Sequence, residues 1–144
     1  MNLNDIRTAV AGVVHGLAEG DDPPLTGYAY PPDSVAEPAA YVQVESVTYD
    51  RAFAGTAEVI LTLMVLVSRA DDVTASARLD GYLSTDGDAS VQAAINTERP
   101  SLGGTAFVGV CDDVHVVSAD APRWYEYGSE KYLGVGLKIR VIGD

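Results

Sequence analysis

The first twenty residues carry apolar side chains at three- and four-residue steps, which is the spacing of one helix face. Polar residues fill the positions between them. The pattern predicts an amphipathic helix over residues 3–19, with Asn2 or Asn4 as its N-cap and Gly20 as its stop. The apolar positions that define this face are Leu3, Ile6, Val10, Val13, Val14 and Leu17.

The next segment, residues 21–39, contains five prolines with Tyr28 and Tyr30 between them. Proline clusters interrupt regular structure, so this segment is predicted to be an irregular loop. A loop of this length is uncommon in a compact domain unless it serves a function or meets a partner.

Two strands are predicted after the loop. Residues 41–45 alternate in polarity as a half-buried strand does, whereas residues 59–67 are apolar on both faces and suit a central strand. The segment between them, residues 47–57, is too long for a tight turn and carries Tyr49, Arg51 and Phe53. We expect it to form an extended hairpin arm.

Residues 72–98 are predicted to form two helices, the first capped by Asp71 or Asp72 and the second by Ser90. Two C-terminal strands follow within residues 105–142, the first of them a valine-rich stretch over 105–118. The last strand, 131–142, alternates: one face holds Leu133, Val135, Leu137, Ile139 and Val141, the other Gly134, Gly136, Lys138 and Arg140. One of its faces is therefore core, and the other meets solvent or a neighbouring subunit.

Together these elements predict a single α+β domain over residues 1–144. Its sheet is expected to be antiparallel or mixed, with about four main strands. The N-terminal helix and the central helical pair are expected to pack on one face of the sheet. The hairpin arm would extend from it.

Composition narrows the function. The chain of 144 residues has 9 basic and 21 acidic side chains, a net charge of −12, which argues against a protein that grips nucleic acid. The single cysteine, Cys111, cannot form an internal disulfide. We find no signal peptide and no stretch long enough to cross a membrane, so synthesis and folding in a cytoplasm are expected.

A catalytic set is hard to assemble from these residues. Asp113 and His115 would share a face of a strand with Cys111, which leaves open a small hydrolase or ligand-binding domain. A surface carboxylate beside a titrating histidine is the favoured interpretation. The acidic pairs lack the spacing of a metal site, and no phosphate-binding loop is present, so neither a metal nor a cofactor is expected.

Aromatic residues fall where a core does not need them. Those in predicted loops or the arm lie close to Arg51 and Arg123, and such combinations are typical of protein contact surfaces. Folding back over the sheet edges is the alternative for any one of them. The set comprises Tyr28, Tyr30, Tyr49, Phe53, Trp124, Tyr125 and Tyr127.

Several segments in order along the chain resemble tail terminator proteins of long-tailed phages that infect actinobacteria. No single segment is as specific as the sequence motif of a catalytic site, but together the segments span nearly the whole chain. They are residues 30–34 (YPPDS), 48–53 (TYDRAF), 67–72 (VSRADD), 79–84 (LDGYLS), 90–95 (SVQAAI), 102–104 (LGG) and 132–137 (YLGVGL).

The resemblance implies a non-enzymatic virion protein of the tail or neck. Such a protein forms a ring, usually a hexamer, on the last ring of the tail tube, stops tube polymerisation and offers a docking surface to the head connector. DNA would pass through the ring without specific binding. An acidic protein suits this role, because like charge lowers its affinity for phosphate.

For subunit or tube contacts we expect two regions, the arm with Tyr49, Arg51 and Phe53 and the loop with Tyr28 and Tyr30. Trp124, Lys138 and Arg140 are further candidates. The alternatives are a head-completion or neck connector protein, the small hydrolase above, and a soluble interaction module of the host.

Overall fold

A computed structural model describes residues 1–51, 55–69 and 73–144, with only the backbone described at Asp50 and Arg51. Over these residues the chain is an α+β protein, as predicted. Its helices are α1 (Leu3–Val14), α2 (Val73–Leu83) and α3 (Val91–Thr97). Its strands are β1 (Thr26–Tyr28), β2 (Ala39–Arg51), β3 (Thr56–Ser68), β4 (Asp113–Ala119), β5 (Arg123–Tyr127) and β6 (Glu130–Gly143).

The six strands form one mixed sheet in the order β1, β2, β3, β6, β4, and β5 also pairs with β6. β1 is parallel to β2, and the remaining pairs are antiparallel. β4 and β5 follow one another along the same side of β6. The four longest strands, β2, β3, β4 and β6, agree roughly with the expected four main strands, and the two short ones, β1 and β5, lie in segments that were predicted to be loops.

All three helices bury their apolar side chains against one face of the sheet, which we call the inner face. The alternation predicted for the last strand is confirmed, since every second residue of β6 from Leu133 to Val141 lies in this core. β3 is the central strand that its apolar run predicts, paired with β2 on one side and β6 on the other.

The first helix ends earlier than predicted, at Val14 instead of residue 19. Its start is as expected, since the side chain of Asn2 accepts a hydrogen bond from the Asp5 amide. At the other end, Gly16 adopts a φ of 88° and its N–H donates to the Leu25 carbonyl at 2.7 Å. A left-handed glycine commonly ends a helix, so the chain turns towards β1 before Leu17 can extend the helix.

The strand predicted over residues 105–118 is wrong in its first half, because residues 105–110 form turns and β4 begins only at Asp113. The Glu98 carboxylate accepts hydrogen bonds from the amides of Thr105 and Ala106 at 3.2 and 3.0 Å. Gly109 has a φ of 78°, which no extended strand allows. The apolar character of this run reflects Phe107, which is fully buried in the inner core.

The predicted arm, residues 47–57, is largely part of the sheet. β2 and β3 form one continuous hairpin, and β6 accompanies it as far as the pairing of Ala57 with Gly143. Beyond that pairing the hairpin extends past β6, since β2 continues to Arg51 and pairs there with Thr56 of β3, which is roughly consistent with the predicted arm. Phe53 and the side chain of Arg51 lie outside the described residues, as do the predicted caps Asp71 and Asp72. The second predicted cap is confirmed, since Ser90 accepts a hydrogen bond from the Ala93 amide at 3.0 Å.

Candidate interaction surface

The sheet is covered unequally on its two faces. All three helices contribute to the inner core, whereas a second apolar cluster on the opposite face is built, within the described residues, from strands and the loop after β1. We call this opposite face the outer face. It carries a tyrosine-rich half and a charged half.

The tyrosine-rich half centres on four buried residues, Tyr41, Met64, Leu66 and Tyr132, with Tyr127 packed beside them. The rings of Tyr41 and Tyr127 lie 5.4 Å apart in a tilted arrangement. Tyr28, Val35 and Tyr125 add partly buried contacts. These aromatics fold back over the sheet, which was the alternative interpretation of the tyrosines in the sequence.

The hydroxyl of Tyr127 donates a hydrogen bond to the Pro32 carbonyl. This contact holds the proline-rich loop against the outer face. Burial, reinforced by Asp33 and Tyr28, raises the pKa of Tyr127 above its ordinary value. Burial is also the main reason that the pKa of Tyr41 is raised, with Tyr127 and Tyr125 adding to it. Both hydroxyls therefore stay protonated at neutral pH.

The charged half of the outer face consists of cross-strand pairs. Glu45 accepts a hydrogen bond from the Thr62 hydroxyl at 2.6 Å, and its other oxygen lies 3.8 Å from the ammonium of Lys138. Arg140 contacts one Glu58 oxygen through Nε at 2.7 Å and a terminal nitrogen at 2.6 Å. Lys138 and Arg140 thus lie on the non-core face, as the alternation predicts.

A shallow cavity of about 580 Å³ lies between the two halves. Tyr41, Thr62, Met64 and Tyr125 are among the residues that line it. The Arg123 guanidinium stands 4.8 Å from the centre of the Tyr125 ring. Within the described residues the buried hydroxyl of Tyr125 has no hydrogen-bond partner. The cavity can accept an apolar or aromatic side chain that also brings a polar group.

The other predicted contact residues are dispersed over the surface. Tyr30 is exposed, its hydroxyl donates to the Asn4 side chain at 3.0 Å, and the Arg7 guanidinium lies 4.4 Å from its ring centre. Tyr49, near the end of the β2–β3 hairpin, is 75% exposed, and Trp124 on β5 is 42% exposed. The structure does not bring these aromatics into one site, and their role as contacts stays a prediction.

Further apolar side chains outside the predicted contact residues are exposed, among them Val73, Leu102, Val108 and Val117. Val108 and Val117 lie in the segment predicted as one valine-rich strand, residues 105–118, of which only the second half is a strand in the structure. Leu102 closes a short 3-10 turn, Pro100–Leu102, beside the start of β4. No pattern in the sequence distinguishes them from core residues.

Asp113 is engaged by a residue other than His115. Its two oxygens accept hydrogen bonds from Arg99, through Nε at 3.1 Å and a terminal nitrogen at 2.6 Å, and Ser101 adds a third at 3.1 Å. The Arg99 hydrogen bond is the main reason that the pKa of Asp113 is lowered. The same bond raises the pKa of Arg99. This arrangement ties the helical segment to β4 and leaves His115 without Asp113 as an orienting acid.

Cys111 is poorly suited to act as a nucleophile. Burial, with the nearby Asp113 and Asp112 adding to it, raises the pKa of its thiol to about 11. Thiolate is the reactive form, and little of it exists at neutral pH.

Within the described residues no three His, Cys, Asp or Glu side chains are grouped to hold a metal ion. None of the described helices is long and apolar enough to cross a membrane.

Comparison with known proteins adds no assignment: the chain matches no protein-family model, and no curated protein is significantly similar to it in sequence.

Proposed function

We propose that this chain is a non-enzymatic phage structural protein, a tail terminator. It would assemble as a ring, with a hexamer as the expected form, on the last ring of the tail tube. There it would stop polymerisation of the major tail protein and offer a docking surface to the head connector. Its place would be the tail or neck of the virion, after assembly in the host cytoplasm.

The observation that carries the proposal is the unequal covering of the sheet. The inner face is closed by the chain's own helices, but the outer face presents a tyrosine cluster, a cavity and a row of charged pairs with no helix above them in the described residues. Aromatic side chains beside arginine are enriched in protein interfaces. The resemblance of the sequence to tail terminators supplies the kind of assembly.

The surroundings of Asp113, His115 and Cys111 support a structural role over a hydrolase. A triad needs a carboxylate that orients the histidine and a nucleophile that ionises readily. Here the carboxylate is held by Arg99, and the pKa of the thiol is raised to about 11. Asp113 instead ties the 3-10 turn to β4 through Arg99 and Ser101.

The charge of the chain is consistent with a ring around DNA. A net charge of −12 gives like-charge repulsion with phosphate, which lowers the affinity of a channel wall for the duplex that crosses it. An electron cryo-microscopy map of the assembled ring should show a neutral or acidic lumen. A basic lumen would contradict this part of the proposal.

Tube assembly is the direct test. The purified chain is added in substoichiometric amounts to the polymerising major tail protein of the phage that encodes it, and tube lengths are measured by negative-stain microscopy. Shortened tubes, capped at one end by a ring with a hole wide enough for DNA, are expected. Unchanged tube lengths would overturn the proposal, whatever the oligomeric state of the free chain.

Arg51→Glu is the sharpest single variant, because an arginine that the sequence places between Tyr49 and Phe53 can stack on an aromatic ring and pair with a carboxylate of a neighbour. Lys131→Glu, at an exposed position of β6, makes the same charge change elsewhere. We expect Arg51→Glu to weaken ring assembly and to lengthen the tubes, while Lys131→Glu leaves both unchanged. Equal behaviour of the two variants would remove Arg51 from the interface.

A further inference from the structure

The sheet has one open stretch on each of its two edges. β1 covers β2 only along Ala39–Tyr41, so within the described residues the rest of β2 has no strand partner on that side. On the opposite edge, β4 has no described strand on the side away from β6. Open edges display backbone donors and acceptors and are templates for pairing with another chain.

The two open stretches lie at the same height on the sheet. The cross-strand pairings β2–β3, β3–β6 and β6–β4 connect Thr48 of β2 with Asp113 of β4, and Gln43 with Ser118. Residues connected in this way lie at the same level of the sheet. Each open stretch is therefore six residues long, about 20 Å of strand. Both lie towards the end of the sheet where the β2–β3 hairpin turns.

The covered part of one edge matches an interruption in the other. β1 pairs with Ala39–Tyr41, a level that corresponds on the opposite edge to residues 120–123, where the chain passes from the end of β4 to the first residue of β5. At this break the Asp120 amide still bonds to the Gly136 carbonyl at 2.9 Å. If β4 of one copy paired with β2 of the next, β1 of the second copy would thus lie opposite the break between β4 and β5 of the first.

Strand direction fits a head-to-tail arrangement. Three antiparallel pairings separate β2 from β4, through β3 and β6, so β2 and β4 run in opposite directions. A rotation about an axis along the strands preserves these directions. β4 of one copy therefore meets β2 of the next as an antiparallel partner without any reversal of either subunit.

The side chains at the two edges are also compatible. Val44 and Val47 of β2 and Val114 and Val116 of β4 belong to the inner core or pack against its border. Joining the edges would place these valines side by side on the same face of the continued sheet. β-Branched residues on neighbouring strands pack well.

We propose that β2 of one copy pairs antiparallel with β4 of the next through residues 43–48 and 113–118, so that the sheets continue from subunit to subunit. The partner is a second copy of this chain. A heterologous contact of this kind closes into a ring when its rotation closes. The inference rests on the proposed ring function and specifies the contact that builds the ring.

Cysteine crosslinking tests the pairing. Ser46 of β2 is level with His115 of β4, and Cα atoms of directly opposite residues in an antiparallel pair are about 4.5–5.5 Å apart, which suits a disulfide. The double variant Ser46→Cys/His115→Cys is made with Cys111→Ser, together with Thr48→Cys/His115→Cys for a register offset by two residues. The control is Ser46→Cys/Thr85→Cys, whose second thiol is exposed at the loop after α2.

After mild oxidation, we expect one of the two edge pairs to give a ladder of covalent oligomers ending at the ring size, at least tenfold more product than the control. Each single variant should remain monomeric on the gel. Dimers from Ser46→Cys alone or from His115→Cys alone would show two-fold pairing of like edges and overturn the inference.

Imaging of the same samples separates the two proposals. Rings without crosslinks from either edge pair would overturn the edge inference and leave the terminator function standing. Crosslinked open filaments without rings would support the edge pairing and count against the ring function.

Discussion

The two faces of β3 show how differently this sheet is used on its two sides. Leu61 and Leu63 point to the inner face and are fully buried under the chain's own helices. Their neighbours Ile60 and Thr62 point to the outer face and stay partly exposed. At these positions β3 contributes to a closed core through one set of residues and to a more open surface through the other, whereas Met64 and Leu66, farther along the outer face, are buried in the tyrosine-rich half. The stability of the fold depends on the buried residues of both faces, and the charged half of the outer face is available for contacts with neighbours.

The largest difference in stability between substitutions on the two faces is expected at adjacent positions of β3. Leu61→Ala removes a fully buried side chain from the inner core and should lower the free energy of unfolding by about 2–5 kcal/mol. Thr62→Ala loses the hydroxyl that bonds to Glu45 and should cost about 0.5–1.5 kcal/mol. Urea denaturation measures both, and losses of equal size would break the distinction between the faces.

A second contrast concerns glycines. A Cβ at Gly134, on the outer face, would stand 2.9 Å from Leu66 Cδ2 and press on the Val65 carbonyl, so Gly134→Ala should cost about 1–3 kcal/mol. Gly12 lies inside α1 with open space around it, and Gly12→Ala should stabilise the protein by about 0.5–1 kcal/mol. Thermal unfolding of the two variants should shift in opposite directions. A Gly134→Ala protein as stable as the wild type would show that the tyrosine-rich half is loosely packed.

Two ion pairs extend the comparison to electrostatics. Asp113→Asn weakens the paired contact with Arg99 that ties the helical segment to β4, and it should cost about 1–2 kcal/mol at pH 7, a value discounted for partial exposure. Lys138→Ala removes an exposed contact of 3.8 Å on the outer face and should cost about 0–1 kcal/mol. Denaturant titrations at fixed pH give both values.

The effect of Asp113 also has a defined pH dependence. Its pKa is lowered in the folded state, so its contribution is fully present above the ordinary aspartate pKa of about 3.9 and is lost as the pH falls through the folded pKa. The difference in stability between the wild type and Asp113→Asn should therefore shrink in acid. A difference that stays constant down to the lowest pH would exclude this carboxylate as its source.

The last contrast compares the proline-rich loop with the end of the β2–β3 hairpin. Tyr127→Phe loses the hydrogen bond to the Pro32 carbonyl and should cost about 0.5–1.5 kcal/mol, with faster amide exchange in the loop. Tyr49→Phe, at a side chain 75% exposed, should leave stability unchanged. Matching stabilities for the two variants would indicate that the loop is held by its apolar contacts alone.

The elements that the sequence predicts well are those in which a local pattern agrees with the tertiary environment. The alternation in β6 and the cap at Ser90 are of this kind. The errors arise where a distant residue determines the local conformation. The end of α1 is held by residues 25–27, since the Gly16 amide donates to the Leu25 carbonyl at 2.7 Å and His15 Nδ1 accepts a hydrogen bond from the Gly27 amide at 3.1 Å. Glu98 likewise holds the turn that contains Thr105. No window of neighbouring residues contains that information.

The candidate surface was predictable only in part. Lys138 and Arg140 follow from the strand period, but the division of the tyrosines into packed and exposed ones does not. Tyr127 packs on the sheet because its hydroxyl donates a hydrogen bond to the carbonyl of Pro32, ninety-five positions away. Tyr49, by contrast, is 75% exposed. The pairing of Asp113 with Arg99 likewise joins residues fourteen positions apart across a turn that the sequence pattern assigns to a strand.

The position of β6 has a consequence for how fast this chain folds. β6 follows every other element in the sequence, yet it lies between β3 and the β4–β5 edge and pairs with all three. Most of the sheet therefore depends on contacts between residues far apart in the chain, such as Ala57 with Gly143. Domains dominated by such contacts fold in milliseconds to seconds, well below the speed of helical bundles. Until β6 pairs with it, the long edge of β3 has no partner strand on that side. At high expression levels this open edge is expected to favour aggregation over folding.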